Sequence, residues 1–321
     1  MTEFIHHPVL LKETLEALQP ASNGVYADGT IGGGGHAAAI LEASSPAGFL
    51  YGCDRDQSAL EAAGKKLASY PGRFELHHGT FTELPQWVGN GSCDGILLDL
   101  GVSSPQLDKA DRGFSFQQDG PLDMRMDRSR GITAAELVNQ SGALELARIF
   151  WEFGDEQQAR KIAQAIESRR KSGPIETTKQ LADLIEQVSP RLGRKSHPAT
   201  KVFQALRIAV NQEMELLREG LGRLWSLLKV GGRFAIITFH SLEDRIVKEF
   251  GRKLEKDYTV PGEMDIPELR IPRPAIAKWV KRKPILASDA ELKSNPRARS
   301  AQLRVLIKLV ASTDLEVANG N

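Results

Sequence analysis

Three acidic residues and a run of glycines carry the chemistry that can be read from this chain. Asp28-Gly-Thr-Ile-Gly-Gly-Gly-Gly-His36 closes a short β-like run, Gly24-Val-Tyr-Ala-Asp28. An acidic residue recurs at Asp54, and a second glycine-edged element stands at Leu98-Asp99-Leu-Gly-Val-Ser-Ser-Pro105. Four consecutive glycines let the backbone turn where any Cβ would block an approaching ligand. A helix over His36–Ala43 would aim its unpaired N–H groups at that ligand. No Gly-Lys-Ser/Thr follows the glycines, so nothing would hold a triphosphate and its magnesium. A dinucleotide loop is harder to set aside, because Asp54, 20 residues after Gly34, suits ribose hydroxyls in either cofactor class. Two features tip the balance toward an adenosyl cofactor of the S-adenosylmethionine type. Asp28 is placed to hold a charged ammonium, and the tighter Gly-x-Gly-x-x-Gly turn is missing from the strand end.

The Asp99 element occupies the position where amino-directed methyltransferases carry an acidic or amide residue followed by Pro-Pro and an aromatic ring. Such a motif accepts hydrogen bonds from an exocyclic amine whose lone pair is otherwise delocalised into a base. Asp99, Ser103 and Ser104 are the candidates for that task here; a strand-end turn is the alternative for Asp99. His240, at the end of a later strand, either faces the site or caps the helix that begins near Leu242. An exocyclic amine can attack a sulfonium methyl without prior addition to the ring, so neither Cys53 nor Cys93 is required. Both are expected as buried free thiols in apolar runs. The seven histidines show no Cys/His metal spacing, so no metal is expected.

These residues need a scaffold, and the pattern of the chain supplies one. An opening helix is expected over Val9–Leu18. Strand-like runs near Val25, Phe49, Phe74 and Gly95–Leu98 alternate with helical patterns at His36–Ala43 and Ser58–Ala68. The alternation stops between Pro105 and Val210, where helical segments follow one another at Ala134–Val138, Leu144–Phe153, Gln157–Arg170 and Thr178–Val188. It resumes with a long helix, Asn211–Leu228, a buried strand, Gly231–Phe239, and a helix, Leu242–Leu254. Closing strands are expected at Pro284–Leu286 and Leu303–Leu309. The fold class is α/β, a doubly wound and mostly parallel sheet with an inserted helical domain. Residues 1–105 and 211–321 form the cofactor domain, and residues 106–210 form a lid loop and a substrate-recognition insertion. Because ligands bind at the carboxyl ends of such strands, an insertion straight after Asp99 is placed to select the substrate.

A chain of 321 residues with 41% hydrophobic content can bury one large core or two smaller ones. No apolar run approaches the ~18 residues that span a bilayer, and no signal-peptide core opens the chain, so a cytoplasmic protein is expected. Net charge is only +1, so attraction to a polyanion must come from local patches. Glu156–Arg207 holds 11 basic against 5 acidic residues, and Arg270–Arg304 holds 10 against 2. In the latter, Lys278-Trp-Val-Lys-Arg-Lys283 and Asn295-Pro-Arg-Ala-Arg-Ser300 combine arginines suited to phosphate with Trp279, placed to stack on a base. The loop from Gly113 to Arg130, with Met124 and Met126 among charges, is expected to close over cofactor or RNA.

The motifs extend along nearly the whole chain. They are His7-Pro-Val-Leu-Leu-x-Glu13, the glycine loop, Leu97-Leu-Asp-Leu-Gly-Val-Ser-Ser-Pro-Gln-Leu-Asp108, Arg112-Gly-Phe-Ser-Phe116 and Gly120-Pro-Leu-Asp-Met-Arg-Met-Asp127. Further on come His197-Pro-Ala-Thr200, Phe203-Gln-Ala-Leu-Arg-Ile208, Phe239-His-Ser-Leu-Glu-Asp-Arg245 and Asn295–Ser300. In this order they resemble the bacterial ribosomal RNA small subunit methyltransferase H family. The resemblance implies a class I S-adenosylmethionine enzyme that methylates the N4 amine of a cytidine near the decoding centre of small-subunit ribosomal RNA. It implies cofactor contacts at Gly34, Gly35, His36, Asp54, Phe81, Asp99 and Gln106, with Asp54 on the ribose and Phe81 beside the adenine. Gly33 and Ala37 depart from it, standing where relatives often carry a larger or hydroxylated residue. The partner it implies is small-subunit ribosomal RNA or the small subunit itself, and a homodimer stays open. An RNA-binding assembly factor without turnover and a DNA methyltransferase are the rival readings.

Overall fold

In the computed structural model, residues 8–190, 197–262 and 264–310 are described. His7 of the first motif and Arg191, Arg194 and Lys195 of the basic run in the insertion lie outside them. The chain divides into two compact units, one formed by residues up to Gly101 and from Leu216 onward, the other by Val102–Glu215. The divisions fall at 101/102 and 215/216, a few residues from the expected 105/106 and 210/211.

The first unit starts with helix α1 (Leu11–Leu18) and strand β1 (Val25–Asp28), then α2 (Gly35–Ala43), β2 (Phe49–Asp54), α3 (Gln57–Leu67), β3 (Phe74–His78) and β4 (Cys93–Asp99). After the second unit the chain returns through α10 (Glu213–Leu227) to β5 (Leu228–Thr238) and α11 (Ser241–Glu255). Short strands β6 (Tyr258–Thr259), β7 (Ile271–Pro272), β8 (Ala277–Trp279) and β9 (Ile285–Leu286) precede α12 (Asp289–Ser294) and β10 (Gln302–Lys308).

The main sheet runs β3-β2-β1-β4-β5-β10-β8, with β9 also on β10. Strands β1 to β5 are mutually parallel and β10 is antiparallel to β5. Ile96–Leu98 of β4 and Phe234–Ile237 of β5 are fully buried, the unbroken apolar run that a sheet covered on both faces requires. Chain order reverses between β1, whose next strand lies on one side, and β4, which pairs on the other. The crevice at that reversal is where doubly wound folds bind ligands. Asp28 lies opposite Leu97, so Asp99 stands two residues further along β4 at the mouth of this crevice.

The second unit holds α4 (Ser104–Asp108), α5 (Ala134–Gln140), α6 (Ala143–Gly154), α7 (Ala159–Arg169), α8 (Thr178–Val188) and α9 (Ala199–Asn211). Its core joins Leu146, Phe150, Ile162, Ile166, Leu181, Ile185, Phe203 and Leu206 with Phe114, Leu122, Met124 and Met126. The last four belong to the segment expected as a lid. These apolar side chains are already packed in the core, while residues 117–119 and 128–130 stay exposed, and the Asn211 side chain ties the segment down, accepting from Met126 N at 2.8 Å and donating to Met124 O at 2.7 Å.

Other expectations also need correction. Helix α9 was not foreseen: the helical pattern is broken at Gln212, left-handed at φ 51°, and the Arg207–Glu213 ion pair bridges the break with two 2.8 Å contacts. Trp279 is not presented to a base; it packs on α11, where a Cβ at Gly251 would overlap its indole, with the Arg304 guanidinium 5.8 Å from its ring. Among the described residues no helix is long and apolar enough to cross a membrane.

Candidate active site

The turn after β1 is held by its own backbone. Gly29 N donates to Leu97 O and Ile31 N to Cys53 O, each at 3.0 Å, pinning the loop to both neighbouring strands. Gly34 adopts φ 76° and its missing Cβ would lie 3.1 Å from Ala63 Cα, so α2 can start here only on glycine. Gly32 and Gly33 face open space instead: a Cβ at Gly33 would meet nothing within 4 Å. The first N–H groups of α2 lack helical partners and give the loop a positive pole.

Three carboxyls surround this loop. Asp28 is buried and accepts from Thr30 N at 3.1 Å; desolvation, with the nearby Asp54 adding to it, pushes its pKa up to about 7. Asp54 accepts from Asp56 N and Gly32 N, both at 2.9 Å; burial still pushes it up to about 6. Asp99 is fixed through its backbone, N donating to Thr30 Oγ1 at 2.6 Å. Its Oδ1 is buried without a hydrogen-bond partner among the described residues. Its Oδ2 lies 3.7 Å from His36 Nδ1, and the other His36 nitrogen, Nε2, is 3.0 Å from Val9 O and must donate there, since a carbonyl only accepts. Burial first, then the charges of Asp28 and Glu243, hold the Asp99 carboxyl well above the usual range.

Phe81 follows β3 on a 3₁₀ turn, Phe81–Gln86, half-buried. Its seat is made by two glycines: a Cβ on Gly29 would crowd Phe81 Cβ, and one on Gly220 of α10 would overlap the ring. His240 is the N-cap of α11, its Nδ1 accepting from Glu243 N at 3.4 Å and its Nε2 lying 3.1 Å from Glu243 Oε1. The helix-capping alternative is therefore the geometry observed. The fold thus gathers Gly34, Gly35, His36, Asp54, Phe81 and Asp99 at the carboxyl ends of β1, β2, β3 and β4. Ser103, Ser104 and Gln106 belong to the second unit, where Ser103 is the N-cap of α4 and its N donates to Gln106 Oε1 at 3.0 Å. Cys53 and Cys93 are buried free thiols. Desolvation first, then neighbouring acidic charge, raises the Cys53 pKa, and burial pushes Cys93 up to about 11.

Sequence reading missed Thr30, Gly220 and Glu243. Glu243 carried a signal, because His240-Ser-Leu-Glu243 has the spacing of a capping box. Gly220 carried none, since only the fold brings it under Phe81.

A glycine loop and three acidic side chains at the switch point of a sheet with one antiparallel closing strand define a Rossmann-like methyltransferase domain. The sequence pattern of the MraW methylase family matches residues 3–309, and the chain belongs to that family. It is a methyltransferase. It is 52% identical over 311 residues to the "Ribosomal RNA small subunit methyltransferase H" of Syntrophotalea carbinolica, covering 95% of this chain and 98% of that protein. The same-named proteins of a Geobacter species and of Symbiobacterium thermophilum are 51% and 49% identical, each over more than nine-tenths of both chains. The family implies S-adenosylmethionine, and the residues present fit it. Gly32 and Gly33 leave room, and the buried carboxyls suit a ligand carrying sulfonium and ammonium charge.

Two outcomes follow from this geometry. Glycine in a helix interior ordinarily costs about 0.5–1 kcal/mol relative to alanine, but overpacking costs about 1–3 kcal/mol. Gly222→Ala, with open space around it, should therefore stabilise the protein, whereas Gly220→Ala should destabilise it. Denaturant unfolding of both variants measures the signs, and equal effects would refute the Phe81 seat. The second outcome concerns pH. A carboxyl whose folded pKa exceeds its unfolded value of about 4 gives stability that is complete at low pH and is lost as pH rises to the folded value. For Asp28 that window runs from about 4 to about 7. Without ligand, Asp28→Asn should melt higher than the unmodified protein at pH 8 and close to it at pH 4. A lower Tm at pH 8 would count against the desolvated charge.

Proposed function

We propose that this enzyme transfers a methyl group from S-adenosylmethionine to the exocyclic N4 amine of a cytidine near the decoding centre of small-subunit ribosomal RNA. The substrate follows from the names of relatives that align end to end with this chain. The amine as acceptor rests on one observation above all: Asp99 Oδ1, buried at the carboxyl end of β4, has a desolvated lone pair and no partner among the described residues. An unpaired buried acceptor costs about 1–3 kcal/mol, and an amine N–H would satisfy it.

The bound cofactor supplies an electrophilic methyl on a sulfonium, and the protein's own groups do the rest. The α2 N-terminus at Gly34, Gly35 and His36 presents N–H groups to the ligand. Asp54 keeps acceptor capacity beyond its two backbone donors and takes ribose hydroxyls. Phe81, rigid on its glycine seat, flanks the adenine. Asp99 accepts from the cytidine amine and turns its lone pair toward the methyl. With the cofactor bound, Asp99 would take the proton that the amine gives up on methylation, a task that its raised proton affinity suits. His36 Nδ1 faces Asp99 Oδ2 at 3.7 Å. His240 keeps α11 and Glu243 in position, a structural part in the site rather than a proton-transfer one. Ser103, Ser104 and Gln106, which follow Asp99 in the chain, remain candidates on the family motif.

The direct test is transfer of labelled methyl to small ribosomal subunits prepared without this enzyme, with nucleoside mass analysis. N4-methylated cytidine is the expected product, and Asp99→Asn should lower kcat about 100-fold or more while the protein stays folded. Label found only in DNA, or RNA binding with no transfer, would replace this reading by one of its rivals. Direct attack also requires that the Cys53→Ser/Cys93→Ser double variant keep its turnover. Loss of turnover in a folded double variant would show that a covalent enzyme–base step had been overlooked.

A further inference from the structure

The outer edge of the sheet carries positive charge without acidic partners among the described residues, and it leads to the active-site end. Strand β10 runs antiparallel to β5, so Gln302 lies opposite Thr238, at the end of the sheet where Asp99 lies opposite Ile237. Strand β8 pairs with the far end of β10, at Leu306–Lys308, and β9 with the near end, at Gln302–Leu303. The connection between them therefore climbs the outside of β10 toward the active-site end, and it consists largely of Lys281, Arg282 and Lys283, all exposed. The turn Pro296–Ser300 enters β10 at the same end with Arg299 exposed, and α11, leaving β5 there, presents Arg245. Arg304 stitches these parts together, binding Asp244 at 2.6 and 3.2 Å and the Arg282 carbonyl at 3.4 Å.

Among the described residues several basic side chains of the unit are held by acids, whereas these five, like the exposed Lys65 and Lys66, are not; what sets the five apart is that they converge on one end of the sheet edge. Lys229 is paired with Asp94, Lys256 and Arg270 with Asp265, and Arg304 with Asp244. Among the described residues none of the five has an acidic partner, and the nearby Glu291 is engaged by Leu10 N at 2.8 Å. Exposed lysines on an edge strand can also serve only to discourage edge-to-edge aggregation. That role does not call for arginines on a helix and a turn that converge on the active-site end.

We propose that Arg245, Lys281, Arg282, Lys283 and Arg299 form a docking surface for the phosphates of the ribosomal RNA strand that flanks the methylated nucleotide. The proposal rests on the ribosomal RNA reading above. Strands lie about 4.8 Å apart, so the edge is three spacings, roughly 14 Å, from β4. A strand lying on it reaches Asp99 within a few nucleotides. The interaction is with backbone charge, so it adds affinity and orientation without selecting sequence.

The test compares the unmodified protein with Lys281→Gln/Arg282→Gln/Lys283→Gln, and with a control, Lys65→Gln/Lys66→Gln, that removes exposed charge from α3 near the opposite edge of the sheet. Binding of small ribosomal subunits and of a single-stranded ribosomal RNA fragment is followed against salt, alongside calorimetry with S-adenosylhomocysteine. Each lost phosphate contact lowers the salt slope by about 0.7, so the triple variant should lose about 2. Its KM for small subunits should rise about tenfold or more at physiological salt, with kcat and S-adenosylhomocysteine binding unchanged. An unchanged slope in a protein that still methylates RNA overturns the surface, as does an equal loss in the control. Aggregation of the triple variant with normal RNA binding assigns these lysines to edge protection and likewise overturns it. Failure of the unmodified enzyme to bind or methylate RNA would sink the ribosomal RNA reading and this surface with it.

Discussion

The desolvation of three carboxyls at the ends of β1, β2 and β4 is the constraint on which the rest of this site depends. Burying an ionised carboxylate costs several kcal/mol unless it is paired, and the hydrogen bonds that reach Asp28 and Asp54 come from backbone N–H groups, with Arg55 adding a nearby positive charge at Asp54. Backbone N–H groups of Thr30, Gly32 and Asp56 offset part of that cost, and proton uptake offsets more, as the raised pKa values indicate. A ligand with fixed positive charge completes the compensation. The glycine loop is the geometric counterpart of that electrostatic demand, because only bare backbone leaves room for such a ligand beside all three acids.

The parallel sheet makes this arrangement possible. A crevice opens at the carboxyl ends of the strands where chain order reverses, between β1 and β4, and the side chains at neighbouring strand ends line it. The same topology explains why the buried cysteines stay out of the chemistry. Cys93 begins β4, at the end of the strand away from Asp99, and Cys53, although it precedes Asp54, points into the apolar interior and donates to Gly79 O at 3.1 Å. A thiol whose pKa is raised by burial and by neighbouring acids holds little thiolate. The direct transfer proposed above needs no such nucleophile.

Much of this was legible in the chain, because the informative features were local. The glycine run, the acid 20 residues on and the Asp-Leu-Gly after an apolar strand each report on a few consecutive residues. Strand β5 was equally plain from its unbroken apolar centre. What escaped depends on contacts distant in sequence. Helix α10 was expected, as Asn211–Leu228, but α9 before it was not, and the left-handed Gln212 that separates them has no glycine to mark it. Met124 and Met126 lie among charges in the chain, and only folding shows them inside a helical core. Trp279 looked like a nucleic-acid contact because its neighbours are lysines, but strand alternation turns it the other way, onto Gly251. The lysines themselves remain exposed, so the charge pattern was informative and the aromatic within it was not.

On the proposed function, a chain of net charge +1 that holds a cationic cofactor and a polyanion must keep two opposite fields apart. Were the acids and bases interleaved, they would pair, as Lys229 and Asp94 do, and leave little for either ligand. Here Asp28, Asp54 and Asp99 are gathered at the centre of the sheet, and Lys281, Arg282 and Lys283 line one edge, roughly 14 Å away. At physiological ionic strength the Debye length is about 8 Å, so across solvent the acidic centre is largely screened from a phosphate at the edge. Within the protein, where screening is weaker, the carboxyls act on whatever enters the crevice. On the reading proposed above, a neutral base carrying an amine enters there while its charged backbone stays outside on the basic rim.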